Sequence, residues 1–143
     1  MSAASEAIAR RLATRFAPEL GERLPMYTER LLADDRVEEA SHRAVDPNQL
    51  IQLASFVVSI SSAAWGVYMG LWQKGLAKQR EDALAADVEA LKRETAFLKG
   101  MLVADLHEKT PRIPELGEAV RARLLDAAAD GALEEATRRQ QRP

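Results

Sequence analysis

Residues 47–73 read PNQLIQLASFVVSISSAAWGVYMGLWQ, and none of them carries a formal charge. The apolar centre of this stretch, from Leu50 to Trp72, is as long as the ~20 residues a helix needs to cross a hydrocarbon core of ~30 Å. The rest of the chain is dense in charge. Asp46 suits the N-cap of a helix, Pro47 its first position, and Gln49 can close a capping box back to Asp46. Toward the far end, Trp65, Tyr68 and Trp72 gather where a membrane interface places aromatic rings, and Lys74 comes directly after. Against a span stand Gln52, Ser55, Ser59, Ser61 and Ser62, which make the segment only moderately hydrophobic. The central helix of a soluble bundle is also apolar on every side, because it is surrounded. Length and absence of charge favour a single transmembrane helix over 46–73. The bundle core is the alternative.

The small residues of the stretch fall in a stripe. Ser62, Gly66 and Gly70 lie four apart, and Ser55 and Ser59 extend the same side. In lipid, such a stripe lets two backbones approach, and serines can hydrogen-bond across the contact. Bulky Phe56, Ile60, Val67 and Leu71 lie elsewhere around the helix. The stripe therefore predicts helix packing through Ser55, Ser59, Ser62, Gly66 and Gly70.

From Pro47 no proline occurs until Pro111, so one helix of about 60 residues, roughly 90 Å long, is possible. A bend at Gly75 is the alternative to a straight rod, and Gly100 weakens the helix without stopping it. Residues 74–109 are charged and carry a heptad seam at Leu84, Val88, Leu91, Thr95, Leu98 and Leu102. In a parallel pair, Asp87 would face Lys92 of the second copy, and Glu94 would face Lys99. The seam and the small stripe both call for identical helices side by side, hence a homo-oligomer. An antiparallel pairing within one chain remains open.

Residues 1–45 read as two short amphipathic helices. Ile8, Leu12 and Phe16 recur on one face. Pro18 and Pro25 then punctuate the chain, and Tyr27, Leu31 and Leu32 suggest a second face before Asp34 and Asp35. Arg10, Arg11 and Arg15 could rest on lipid headgroups, or the helices could pack on themselves. Beyond the heptads, the run from Thr110 to Pro114 breaks the helix. Pro114, Glu115 and Glu118 suit the first turn of a last helix within 110–143. Val120, Leu124 and Leu125 supply its apolar face, and Gly131 ends or softens it. The fold expected is all-α throughout.

Little chemistry is visible. A net charge of −2 provides no global basic field for nucleic acid. The absence of cysteine removes disulfides and thiolate chemistry. His42 and His107 lack the partners of a triad or of a metal site. There is no phosphate-cradling Gly-rich loop. No catalytic residue, metal or cofactor is expected, and the chain reads as non-enzymatic. Lys74, Lys78 and Arg80 beyond the apolar stretch outnumber Arg36 and Arg43 before it, which leans toward a cytoplasmic C-terminal region.

The run DPNQLIQLASFVVSISSAAWGVYMGLW, with TPRIPELGEAVRARL further on, resembles small single-span membrane modules of predicted bacterial conflict systems. Asp46, Pro47, Trp65 and Tyr68 match the first part of that pattern, and Pro114, Glu115, Val120, Arg121 and Arg123 the second. The resemblance covers about half the chain. It implies a bacterial cytoplasmic-membrane component of an anti-phage or self-killing system, working beside a separate sensor or NTPase, and no active-site residues. The function expected is therefore a self-associating membrane anchor, adaptor or membrane-perturbing effector. A soluble adaptor or assembly factor, with the 50–72 helix as its core or docked into a partner, is the second expectation.

Overall fold

The structure, a computed structural model, describes residues 2–33, 49–114 and 116–141. Among these residues six helices and no strand occur: α1 Ala3–Leu20, α2 Leu24–Ala33, α3 Gln49–Gln73, α4 Lys78–Ala86, α5 Val88–Lys109 and α6 Glu118–Gln141. Asp34, Asp35, Arg36, His42, Arg43, Asp46, Pro47 and Glu115 lie outside the described residues.

Helix α1 starts at Ser2, whose hydroxyl accepts from the Ser5 amide at 3.1 Å and so satisfies one of the free N-terminal donors. It buries Ile8, Leu12 and Phe16 together with small Ala9 and Ala13. Pro18 sits in its last turn, and the chain leaves through Gly21 at φ 151. That backbone angle calls for glycine, and a Cβ there would also meet a methyl of Leu50. Pro25 occupies the first turn of α2, where its missing N–H costs no helical bond.

Helix α3 is the centre of the molecule. It packs against α1, α2, α5 and α6, while α6 also lies along α1 and α5. The core joins Ile8, Leu12 and Phe16 to Leu24 and Leu31 of α2, and to Leu53, Phe56, Val57 and Ile60 of α3. Leu98, Leu102 and Leu106 of α5 and Leu124, Leu125 and Leu133 of α6 complete it. Alanines 127, 128, 129, 132 and 136 are buried on α6 and bring its backbone close to its neighbours. At Gly131 an added Cβ would meet a methyl of Ile8 at 3.0 Å. Gly131 therefore does not end the last helix; it is where α1 and α6 approach.

Two expectations need correction. Residues 49–109 do not form one rod. The chain turns over 74–77, where Gly75 takes φ 79, and breaks again at Asp87, whose φ −156 and ψ 113 are extended. The transmembrane-length helix consequently does not continue into a coiled-coil rod, and α5 folds back onto α3 and α6. The last helix begins at Glu118, with Pro114 in the turn before it. The Arg121 amide donates to the Gly117 carbonyl at 2.9 Å, which fixes that start.

Candidate functional site

The orientation of α3 in the bundle decides what its residues can do. Its bulky side chains point inward: Leu53, Phe56, Val57, Ile60, Tyr68 and Leu71 are all buried. Ser61 is buried as well, and its hydroxyl donates to the Val57 carbonyl at 2.7 Å, so it costs no unsatisfied group. The outward side is the small one. Ser59, Ser62 and Gly66 are exposed, and Ser55 and Gly70 are half-buried. Gln52 lies on the same side and is exposed. A Cβ added at Gly66 or Gly70 would meet nothing within 4 Å.

Beside these glycines runs a shallow groove of about 340 Å³ between α3 and α5. Ala63, Gly66, Val67 and Gly70 form one wall, and Asp105 and Lys109 of α5 the other. Lys109 pairs with Asp105 at 3.1 Å, one turn apart on α5.

The aromatic residues meet at the end of α3. Trp65 stacks on Tyr68 with ring centres 5.4 Å apart. Trp72 is 48% exposed, and its indole N–H donates to a carboxylate oxygen of Glu81 at 2.7 Å. The Arg139 guanidinium of α6 lies 5.7 Å from the Trp65 ring centre. Lys74 is exposed on the adjoining turn.

The seam residues separate. Leu98 and Leu102 are fully buried in the chain's own core, Leu84, Leu91 and Thr95 are half-buried, and Val88 is 67% exposed. The buried face of α5 continues to Leu106, a helical spacing of four that faces α3 and α6. The charges assigned to interhelical pairs also have local work. Asp87 is the N-cap of α5, its carboxylate accepting from the Glu89 amide at 3.0 Å. Lys92 lies 3.9 Å from Glu89 on the same helix. Lys99 reaches α6, 3.1 Å from Asp126 and 3.1 Å from Asp130. Burial lowers the pKa of the Lys99 ammonium, but these two carboxylates outweigh it and leave that pKa raised. Glu94 is half-buried on α5.

Three charged residues hold the bundle in ways that the sequence reading missed. Arg80, counted there as a flanking cation, is only 5% exposed. Its Nε donates to the Thr95 hydroxyl at 2.9 Å, and its Nη2 to the Thr137 hydroxyl at 2.6 Å and the Leu133 carbonyl at 3.3 Å. Its Nη1 has no hydrogen-bond partner. Burial pushes this guanidinium below its ordinary pKa, against the opposing effect of Tyr68 and Glu81. Arg121 is 3% exposed and donates to the Thr110 carbonyl at 2.7 Å and the His107 carbonyl at 3.4 Å, capping the C-terminus of α5. Glu135, 4% exposed, accepts from Arg11 at 2.8 Å and pairs with Arg139 at 3.3 Å. A signal for Arg80 was present: it lies three residues from both Ala77 and Ala83, on the alanine face of α4.

Among the described residues no group of three or more His, Asp or Glu side chains could hold a metal ion. What these elements define is an all-helical bundle built around one long apolar helix. No protein-family model, curated protein or solved structure matches the chain.

Proposed function

We propose that this chain is a non-enzymatic helical interaction module, in which α3 is the core of a water-borne bundle and its small outward stripe docks a helix of a second copy. One observation carries the reading. The bulky side of α3 is covered by helices whose outer surfaces are tied together by ion pairs, while the small side is left open. Arg123 joins Glu19, Arg10 joins Glu29, and Lys99 joins Asp126 and Asp130. Such a charged jacket suits water and is costly at membrane depth. A stripe of Ser59, Ser62, Gly66 and Gly70 with free space above the glycines allows a second backbone to approach.

Sedimentation equilibrium without detergent tests this. The chain is expected to be soluble and to self-associate, and Gly66→Leu with Gly70→Leu to give a folded monomer. A native chain that stays monomeric at every concentration would remove the docking role.

A second reading is supported by the length of α3. Leu50–Gln73 has a mean hydropathy of 1.6 over its most apolar window, enough to cross a bilayer. In that reading the jacket of α1, α2 and α6 opens and the helix inserts, with the small stripe packing against other copies. The chain is then a membrane-associated effector or anchor, in keeping with the resemblance to conflict-system modules. Dye uptake by cells expressing it, abolished by Gly66→Leu and Gly70→Leu, would favour this reading. Intact membranes at high expression would count against it.

A further inference from the structure

We propose that the aromatic pocket at the C-terminal end of α3 is a recognition site for a soft organic cation, a quaternary ammonium or guanidinium group, with Arg139 of α6 as its resident occupant. The pocket has a volume of about 340 Å³ and is lined by Trp65, Tyr68, Met69 and Trp72 of α3, Glu81 of α4 and Arg139 of α6. It shares no lining residue with the groove at Gly66 and Gly70, so it stands or falls separately from the docking role of that stripe. Its size lies in the range of small-ligand sites, which are mostly apolar with a few placed polar groups.

The chemistry of the lining selects the charge of the ligand. Indole rings carry a negative face, which attracts a cation positioned over it, and Tyr68, buried and stacked on Trp65, backs that surface. The structure already contains one such pairing, because the Arg139 guanidinium sits over Trp65 at 5.7 Å. The carboxylate in the lining, Glu81, is oriented by the Trp72 indole and adds the negative charge that an incoming cation needs. Trp72, half exposed, is the most solvent-accessible of the three aromatic residues in the lining.

The resident has somewhere else to go. Glu135 lies 3.3 Å from Arg139, one turn earlier on α6, and can keep the guanidinium paired when it leaves the ring. Arg80 is the opposing charge nearby and interacts electrostatically with Tyr68 and Glu81 of the lining, although its hydrogen bonds to Thr95, Thr137 and Leu133 hold it beneath the pocket and keep it from occupying the aromatic face. With one carboxylate and an aromatic lining, the site suits a weakly hydrated cation that gives up water easily. A compact, strongly hydrated ammonium or metal ion would find too few oxygens here.

The chain has two tryptophans and both line this pocket, so its intrinsic fluorescence reports on the site directly. The experiment titrates the full chain with choline and with 3,3-dimethylbutan-1-ol, which has the same shape and no charge. Choline is expected to change the emission saturably and to bind about two- to fivefold more tightly than the neutral analogue. Glu81→Gln is expected to weaken choline by about the same factor, and Arg139→Gln to strengthen it by removing the competitor. Both variants are expected to keep the native far-UV circular dichroism spectrum, which is the check that they fold. Equal binding of the two probes, no emission change with either, or an Arg139→Gln variant that binds choline no better would overturn the assignment. A peptide bearing trimethyllysine distinguishes the source: tighter binding than choline assigns the site to a partner protein, weaker binding to a free small molecule.

Discussion

Replacing Gly66 and Gly70 by alanine should stabilise this protein. Both lie within α3, where glycine is less favourable than alanine by about 0.8–1 kcal/mol in a helix interior. Gly70 is in the last turn, so its gain is smaller, about 0.5 kcal/mol. Nothing lies within 4 Å of either added Cβ, so no packing loss offsets the gain. The sum for the double variant is about 1.5 kcal/mol, because neither added Cβ touches a group through which the two gains could interfere. In a chain of this size that corresponds to a rise in melting temperature of roughly 4–6 °C. The assay is thermal unfolding monitored by far-UV circular dichroism, at a concentration low enough for the monomer to dominate. A fall of similar size would refute the reasoning. It would mean that the stripe is already packed against something and that the outward orientation of α3 is wrong.

Gly131→Val should behave in the opposite way, since its Cβ starts 3.0 Å from Ile8 and the extra methyl groups push α1 from α6; a loss of about 1–3 kcal/mol in urea unfolding is expected, and an unchanged midpoint would deny the close approach. Glu135→Ala leaves Arg11 and Arg139 without their shared carboxylate and should cost about 1–3 kcal/mol by the same assay, the lower end reflecting the partial exposure of both arginines. The hydrogen bond from Arg123 holds the Glu19 carboxyl below the usual range, against a smaller opposing effect of desolvation. Its contribution to the α1–α6 contact is therefore present above the ordinary glutamate pKa and lost as pH falls through the lowered value. An NMR titration of Glu19 should show this, with Arg123→Gln restoring the ordinary value and added salt weakening the effect; a normal Glu19 pKa in the native chain would contradict it.

The helical class was legible because helix formers dominate and the apolar positions recur with a helical period. Leu98 and Leu102 illustrate the limit of such patterns. Over residues 84–102 a seven-residue seam and a 3.6-residue face share most of their members, and the pattern does not say whether a second chain or the same chain covers them. The burial of Leu106 and the exposure of Val88 shift the face by a turn toward α6. The break at Asp87 was hidden for a similar reason: an aspartate reads equally as a surface charge and as an N-cap. Gly75 did mark a turn, though sequence alone left a straight rod open. The small stripe of α3 was also legible, but its direction was not. Ser59, Ser62 and Gly66 could face either way along the helix, and it took the placement of α1, α2, α5 and α6 around the bulky side to show that they point outward. The buried charges were the hardest to see, since Arg80, Arg121 and Glu135 owe their roles to carbonyls, hydroxyls and guanidinium groups brought by other helices.

Whether α3 is sheathed by its own chain or by lipid is tested most directly by fractionating cells that express a tagged copy, with a carbonate wash of the membranes. The bundle predicts that the protein remains in the soluble fraction. Retention in the washed pellet until detergent is added would contradict it and make 50–73 a membrane anchor.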